Sequence, residues 1–93
     1  MPQEATIILD HEPGLHIRAA MVLVSKAQQL ESKVTIAYGG QVADAKSIYA
    51  LVQLCAGPQS ELVVRCEGPD EVEACRAVVE LIESGFNENP NGD

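Results

Sequence analysis

Tryptophan is absent from the 93 residues, and Phe and Tyr together supply only three side chains. A single-stranded nucleic acid would find no row of aromatic platforms to stack on. Six Lys and Arg against 14 Asp and Glu also leave no basic stripe for a phosphate backbone. Nucleic acid is therefore not an expected partner. Long hydrophobic runs are missing too: stretches such as residues 7–9 and 21–24 fall far short of the ~20 residues that a membrane span needs. No basic stretch precedes an apolar one at the start of the chain, so no membrane insertion is expected and a soluble, unexported protein is. Cys55, Cys66 and Cys75 are odd in number and form no CxxC pair, which argues against a disulfide framework and a four-thiolate zinc site. A reducing cytoplasm suits them, as small packing residues.

What remains is an acidic, aliphatic chain long enough for one domain with a modest core of Val, Ile, Leu and Ala. The net charge of −8 is unevenly spread, because residues 67–93 hold eight carboxylates against Arg76 alone while residues 1–66 are close to neutral. A surface that meets an acidic partner belongs in that first part.

Residues 5–10 are β-branched and short and read as a first strand. His11-Glu12-Pro13-Gly14 then breaks the chain. Ile17, Ala20, Met21, Val24 and Ala27, widened by Leu23 and Leu30, carry helical spacing over about four turns. Residues 33–38 alternate, with Val34, Ile36 and Tyr38 on one face, and Gly39-Gly40 turns into a short third strand near 41–43. Ser47 opens a short helix along Ile48, Leu51, Val52 and Leu54, which Gly57-Pro58 is expected to terminate. Leu62, Val64 and Cys66 face inward along a fourth strand. Asp70 with Glu73 predicts a capping box before a last helix striped by Val72, Cys75, Val78 or Val79, and Ile82, closed by Gly85. The order βαββαβα predicts an α+β fold with an antiparallel sheet covered on one face by helices. The domain is expected over residues 1–86, with a disordered polar tail at 87–93 and no repeat or second domain.

Chemistry concentrates at Gly14-Leu15-His16-Ile17-Arg18. With His16 at the cap of the first helix, the backbone N–H groups of Ile17 and Arg18 point toward its ring. An anion attached to His16 would be held there. The positive helix end disfavours imidazolium and so leaves a ring nitrogen available as a nucleophile, while Arg18 adds a forked donor for phosphate oxygens. Such a histidine suits reversible acceptance of a phosphoryl group. The spacing permits a carrier without demanding one, since a lone histidine at a helix start is most often a solvent-exposed cap. Ser47 is likewise first of all an ordinary N-cap, and becomes a switch only where a kinase reaches it. Lys26 and Lys46 read equally as solvated charge. His11 and His16 with Asp10 and Glu12 match no familiar metal site, so neither a metal nor a cofactor is expected.

The residues resemble the HPr family, the histidine-containing phosphocarriers of the bacterial phosphoenolpyruvate-dependent phosphotransferase system. Gly14-Leu15-His16-Ile17-Arg18-Ala19-Ala20 is similar to the family's active-site motif. Ala45-Lys46-Ser47-Ile48 is similar to its regulatory-serine segment, and Glu67-Gly68-Pro69-Asp70-Glu71 to the turn before its last helix. The resemblance implies an open-faced sandwich of four antiparallel strands and three helices. It also implies phosphorylation of His16 on Nδ1 by Enzyme I, assistance from Arg18, and delivery to a IIA domain. Ser47 would be the target of an HPr kinase/phosphorylase. Lys26, Lys46, Ile48, Tyr49, Leu51 and Val52 would contact partners, and the chain would act as a monomeric cytoplasmic carrier rather than an enzyme. Against the family's pattern, Ala19 stands for Pro, Ile17 for a smaller residue, Tyr49 for an aliphatic one and Cys55 for Gly. A different class of function is a regulatory binding module, phosphorylated on Ser47, that controls a partner without relaying phosphate. A bare adaptor, in which both residues are caps only, is a third.

Overall fold

The computed structural model describes residues 1–10 and 14–86. Residues 11–13 of the expected break at 11–14, and the expected tail at 87–93, lie outside those residues. The strands are β1 (Gln3–Leu9), β2 (Lys33–Tyr38), β3 (Gln41–Asp44) and β4 (Ser60–Glu67). The helices are α1 (Ile17–Gln28), α2 (Ile48–Gln53) and α3 (Glu71–Glu83). The sheet runs β1-β4-β2-β3 and every pairing is antiparallel, so the fold is the expected open-faced βαββαβα sandwich. Alternation does the sorting. Ile7, Leu9, Val34, Ile36, Leu62, Val64 and Cys66 are buried under the helices, while Glu4, Thr6, Glu61 and Arg65 take the other face. Gly39 and Gly40 both have positive φ, 58° and 84°, as the tight two-residue turn between β2 and β3 requires.

Three expectations about the helices are corrected. In α1 the buried arc is Ala19, Ala20, Leu23, Val24 and Ala27, whereas Ile17 and Met21, at the arc's edge, turn to solvent. In α3 Val72 is exposed and Ala74, Cys75, Val78, Leu81 and Ile82 pack inward. The capping box of Asp70 with Glu73 does not form, because the Asp70 carboxylate is taken elsewhere. It accepts from the backbone N–H of Glu31 at 3.0 Å, from that of Ser32 at 2.9 Å and from the Ser32 hydroxyl. Glu71 instead reaches back to accept from the Gly68 N–H at 3.0 Å. Gly85 does close α3: its N–H donates to the Ile82 carbonyl and that of Phe86 to the Leu81 carbonyl, the paired bonds of a Schellman end.

Ser32 is fully buried, so the Asp70 carboxylate ties the loop after α1 to the start of α3 through a side chain inside the protein. Cys66 and Cys75 pack as expected. Burial pushes the Cys66 thiol up to about 12 and raises Cys75 as well, which keeps both protonated and unreactive at neutral pH.

Candidate functional site

His16 is the N-cap of α1, with extended backbone (φ −90°, ψ −176°). Its position is set by the residues before it. Gly14 has φ +105°, and the Leu15 N–H donates to the Ala56 carbonyl at 2.8 Å while the Leu15 side chain is buried. A Cβ on Gly14 would lie 2.7 Å from the Ala56 oxygen and 2.8 Å from Gly57, so only glycine lets the two loops approach this closely. The His16 carbonyl accepts from the Ala20 N–H at 2.9 Å and begins the helix.

The ring is thereby held over the helix's first turn. The Arg18 backbone N–H donates to Nδ1 at 3.1 Å, so Nδ1 carries a lone pair directed at that amide. The imidazole is half-buried, and Ile17 and Arg18 beside it are exposed. The residues expected from the sequence around His16 are thus brought to one helix start.

The Ser47 segment lies at the beginning of α2, which packs against α1. The Ser47 hydroxyl accepts from the Ala50 N–H at 3.2 Å, the ordinary N-cap bond. Ile48 and Tyr49 are exposed, Tyr49 at 75%, and Val52 is half-buried. Leu51 is a correction: it is fully buried in the core and offers no surface to a partner, because it lies on the α2 face turned inward. Lys26 is half-buried, and the Lys46 ammonium donates to the Leu30 carbonyl at 3.2 Å. Exposed Ile17 and Met21 from α1 join Ile48 and Tyr49 from α2 as the large apolar side chains on these two packed helices.

Cys55 is a second correction. It is exposed instead of packed, with φ +55° just after α2, which ends at Gln53 before Gly57-Pro58 is reached. A left-handed residue at a helix end is usually glycine because other side chains crowd the backbone there. Cys55→Gly is accordingly expected to stabilise the chain by about 0.5–1 kcal/mol. Thermal denaturation would show this as a rise in Tm of roughly 2–8 °C, and an unchanged or lower Tm would contradict it. The Leu15–Ala56 bond carries no sequence signal beyond the glycine at 14, because it joins backbone atoms far apart in the chain.

A family described as "PTS HPr component phosphorylation site" matches residues 3–84. The phosphocarrier protein HPr of Xylella fastidiosa is 36% identical over 86 residues, 92% of this chain and 97% of that protein. The phosphocarrier protein NPr of Klebsiella oxytoca is 33% identical over 90 residues, 96% of this chain and all of that protein. Among solved structures, an HPr of Thermoanaerobacter tengcongensis superposes with a TM-score of 0.87 at 34% identity, covering 94% of this chain and 98% of that one.

Proposed function

The chain belongs to the HPr family of phosphocarrier proteins of the phosphotransferase system, and from that premise we propose that His16 receives a phosphoryl group from Enzyme I and passes it to a IIA domain. One observation carries the reading: a ring nitrogen at a helix N-cap, with its lone pair met by the Arg18 backbone N–H. In the transfer, the bond between the donor and phosphorus breaks as the His16 Nδ1 lone pair forms a new N–P bond. The Arg18 amide, no longer accepted by Nδ1, is then beside the phosphoryl oxygens, where the helix start favours negative charge. The exposed Arg18 guanidinium adds forked donors from the same turn. Delivery is the reverse step on another protein. The chain is therefore a stoichiometric carrier without a small-molecule substrate of its own.

Docking uses the exposed apolar side chains Ile17, Met21, Ile48 and Tyr49, with Arg18 and Lys26 supplying charge complementary to acidic partners. Ser47 is a regulatory site in this reading. A phosphate there adds roughly −1.5 to −2 charge beside the docking face and repels an acidic Enzyme I surface.

Incubation with phosphoenolpyruvate and Enzyme I is expected to add the mass of one phosphate, labile in acid and lost in His16→Ala. An acid-stable adduct, or one that survives the substitution, contradicts the relay. ATP-dependent, acid-stable labelling lost in Ser47→Ala, with none from Enzyme I, would identify a regulatory module instead.

A further inference from the structure

Lys46 lies within the Ser47 motif, yet its ammonium does not point away from the fold. Nζ donates to the Leu30 carbonyl at 3.2 Å, just beyond the C-terminal end of α1, and the side chain is half-buried. That end leaves carbonyl groups without helical donors and carries partial negative charge, so an ammonium is well matched to it. The backbone around Lys46 is fixed on both sides. Its own N–H donates to Asp44 Oδ1 at 2.9 Å, the Ala45 N–H to the Val34 carbonyl at 2.9 Å, and the Ser47 N–H to the Asp44 carbonyl at 2.9 Å. Ala45 is fully buried. A side chain anchored at the entrance of α2 therefore reaches the far end of the helix that begins at His16.

We infer that Lys46 is a positioning residue: by binding the Leu30 carbonyl it holds α2 in register with α1, so that Ile48 and Tyr49 align with Ile17 and Met21 as one docking face. This rests on the proposed relay for its functional consequence and on the Lys46–Leu30 bond for its structural one. Lys46 thus acts through the geometry of that face, and its charge is spent inside the fold instead of on the partner.

The test compares the full chain with Lys46→Met and Lys46→Arg, measuring Enzyme I-driven phosphorylation against carrier concentration in low and high salt, and amide hydrogen exchange. In Lys46→Met, KM for the carrier is expected to rise about three- to tenfold with the maximal rate unchanged. The rise should persist in about 0.5 M salt, where exposed charges are screened, and Arg should restore most of it. The Gln29 and Leu30 amides, which close the end of α1 on Lys26 and Ala27, should exchange about tenfold faster in the Met variant. A KM defect that vanishes in high salt, with exchange unchanged, would show a docking charge and overturn the inference. If the unaltered chain took no phosphate from Enzyme I, the relay would fail, and the exchange measurement would still decide the structural role of Lys46.

Discussion

Gly14→Ala is expected to slow phosphorylation of His16 by roughly tenfold to a hundredfold and to destabilise the fold by about 2–4 kcal/mol. Two costs coincide at this position. The backbone has φ +105°, a conformation that a side chain disfavours, and the new methyl would stand 2.7 Å from the Ala56 oxygen. Neither neighbour is a flexible side chain, since the obstructing atoms are the backbone of Ala56 and Gly57. Relief requires the two loops to part, which breaks the Leu15–Ala56 bond that places His16 two residues from the glycine. The transfer rate suffers because phosphoryl exchange between two proteins depends on positions good to a fraction of an ångström. Thermal melts and single-turnover labelling check both effects. A variant that melts and reacts like the parent would show that Gly14 does not set the histidine's place.

Gly68→Ala should be comparably damaging, by about 2–4 kcal/mol, through the same two costs at a different contact. Its φ is +154°, and an added Cβ would meet Ser32 Cα at 2.7 Å and Ser32 Oγ at 2.9 Å. Ser32 cannot retreat, being fully buried and bonded to Asp70. Tm is expected to fall by roughly 10–30 °C. An unchanged Tm would contradict the close packing of the two loops.

The same junction makes the fold sensitive to acid. The Ser32 hydroxyl and the Glu31 and Ser32 amides hold the Asp70 carboxyl below its ordinary value, and the Gly68 amide does so for Glu71. Both groups therefore bind protons less readily folded than unfolded, and their contribution is present above the ordinary carboxylate range and lost as pH falls through and below it. Tm should drop as the pH is lowered below about 4.5, and Asp70→Asn, already weaker at neutral pH, should show a shallower decline. A parent and variant with parallel acid profiles would contradict this assignment.

The strand pattern was legible because one buried face imposes a two-residue period that Val34, Ile36, Leu62 and Val64 all obey. The His16 cap was legible for a similar local reason, a glycine turn followed at once by helical spacing. Ile17, Met21 and Val72 misled because apolar residues at a functional or marginal surface have the same spacing as core residues; only packing separates them. Leu51 differs in the other direction: the stripe of α2 already includes it, and only the family resemblance assigns it to a partner, whereas packing puts it wholly inside. The Asp70 capping box failed because a local partner at Glu73 competes with donors at residues 31 and 32, close in space and remote in sequence. Cys55 could be marked as standing in a glycine's place, but its positive φ is visible only in the folded backbone.

The most direct test of the central claim is nuclear magnetic resonance of the nitrogen-15-labelled chain before and after phosphorylation by Enzyme I and phosphoenolpyruvate. Phosphorus coupling to Nδ1 of His16 is expected, together with a large shift of the Arg18 amide as its acceptor changes from ring nitrogen to phosphoryl oxygen. Phosphorus on Nε2 or on a serine, or an Arg18 amide that does not respond, would contradict it.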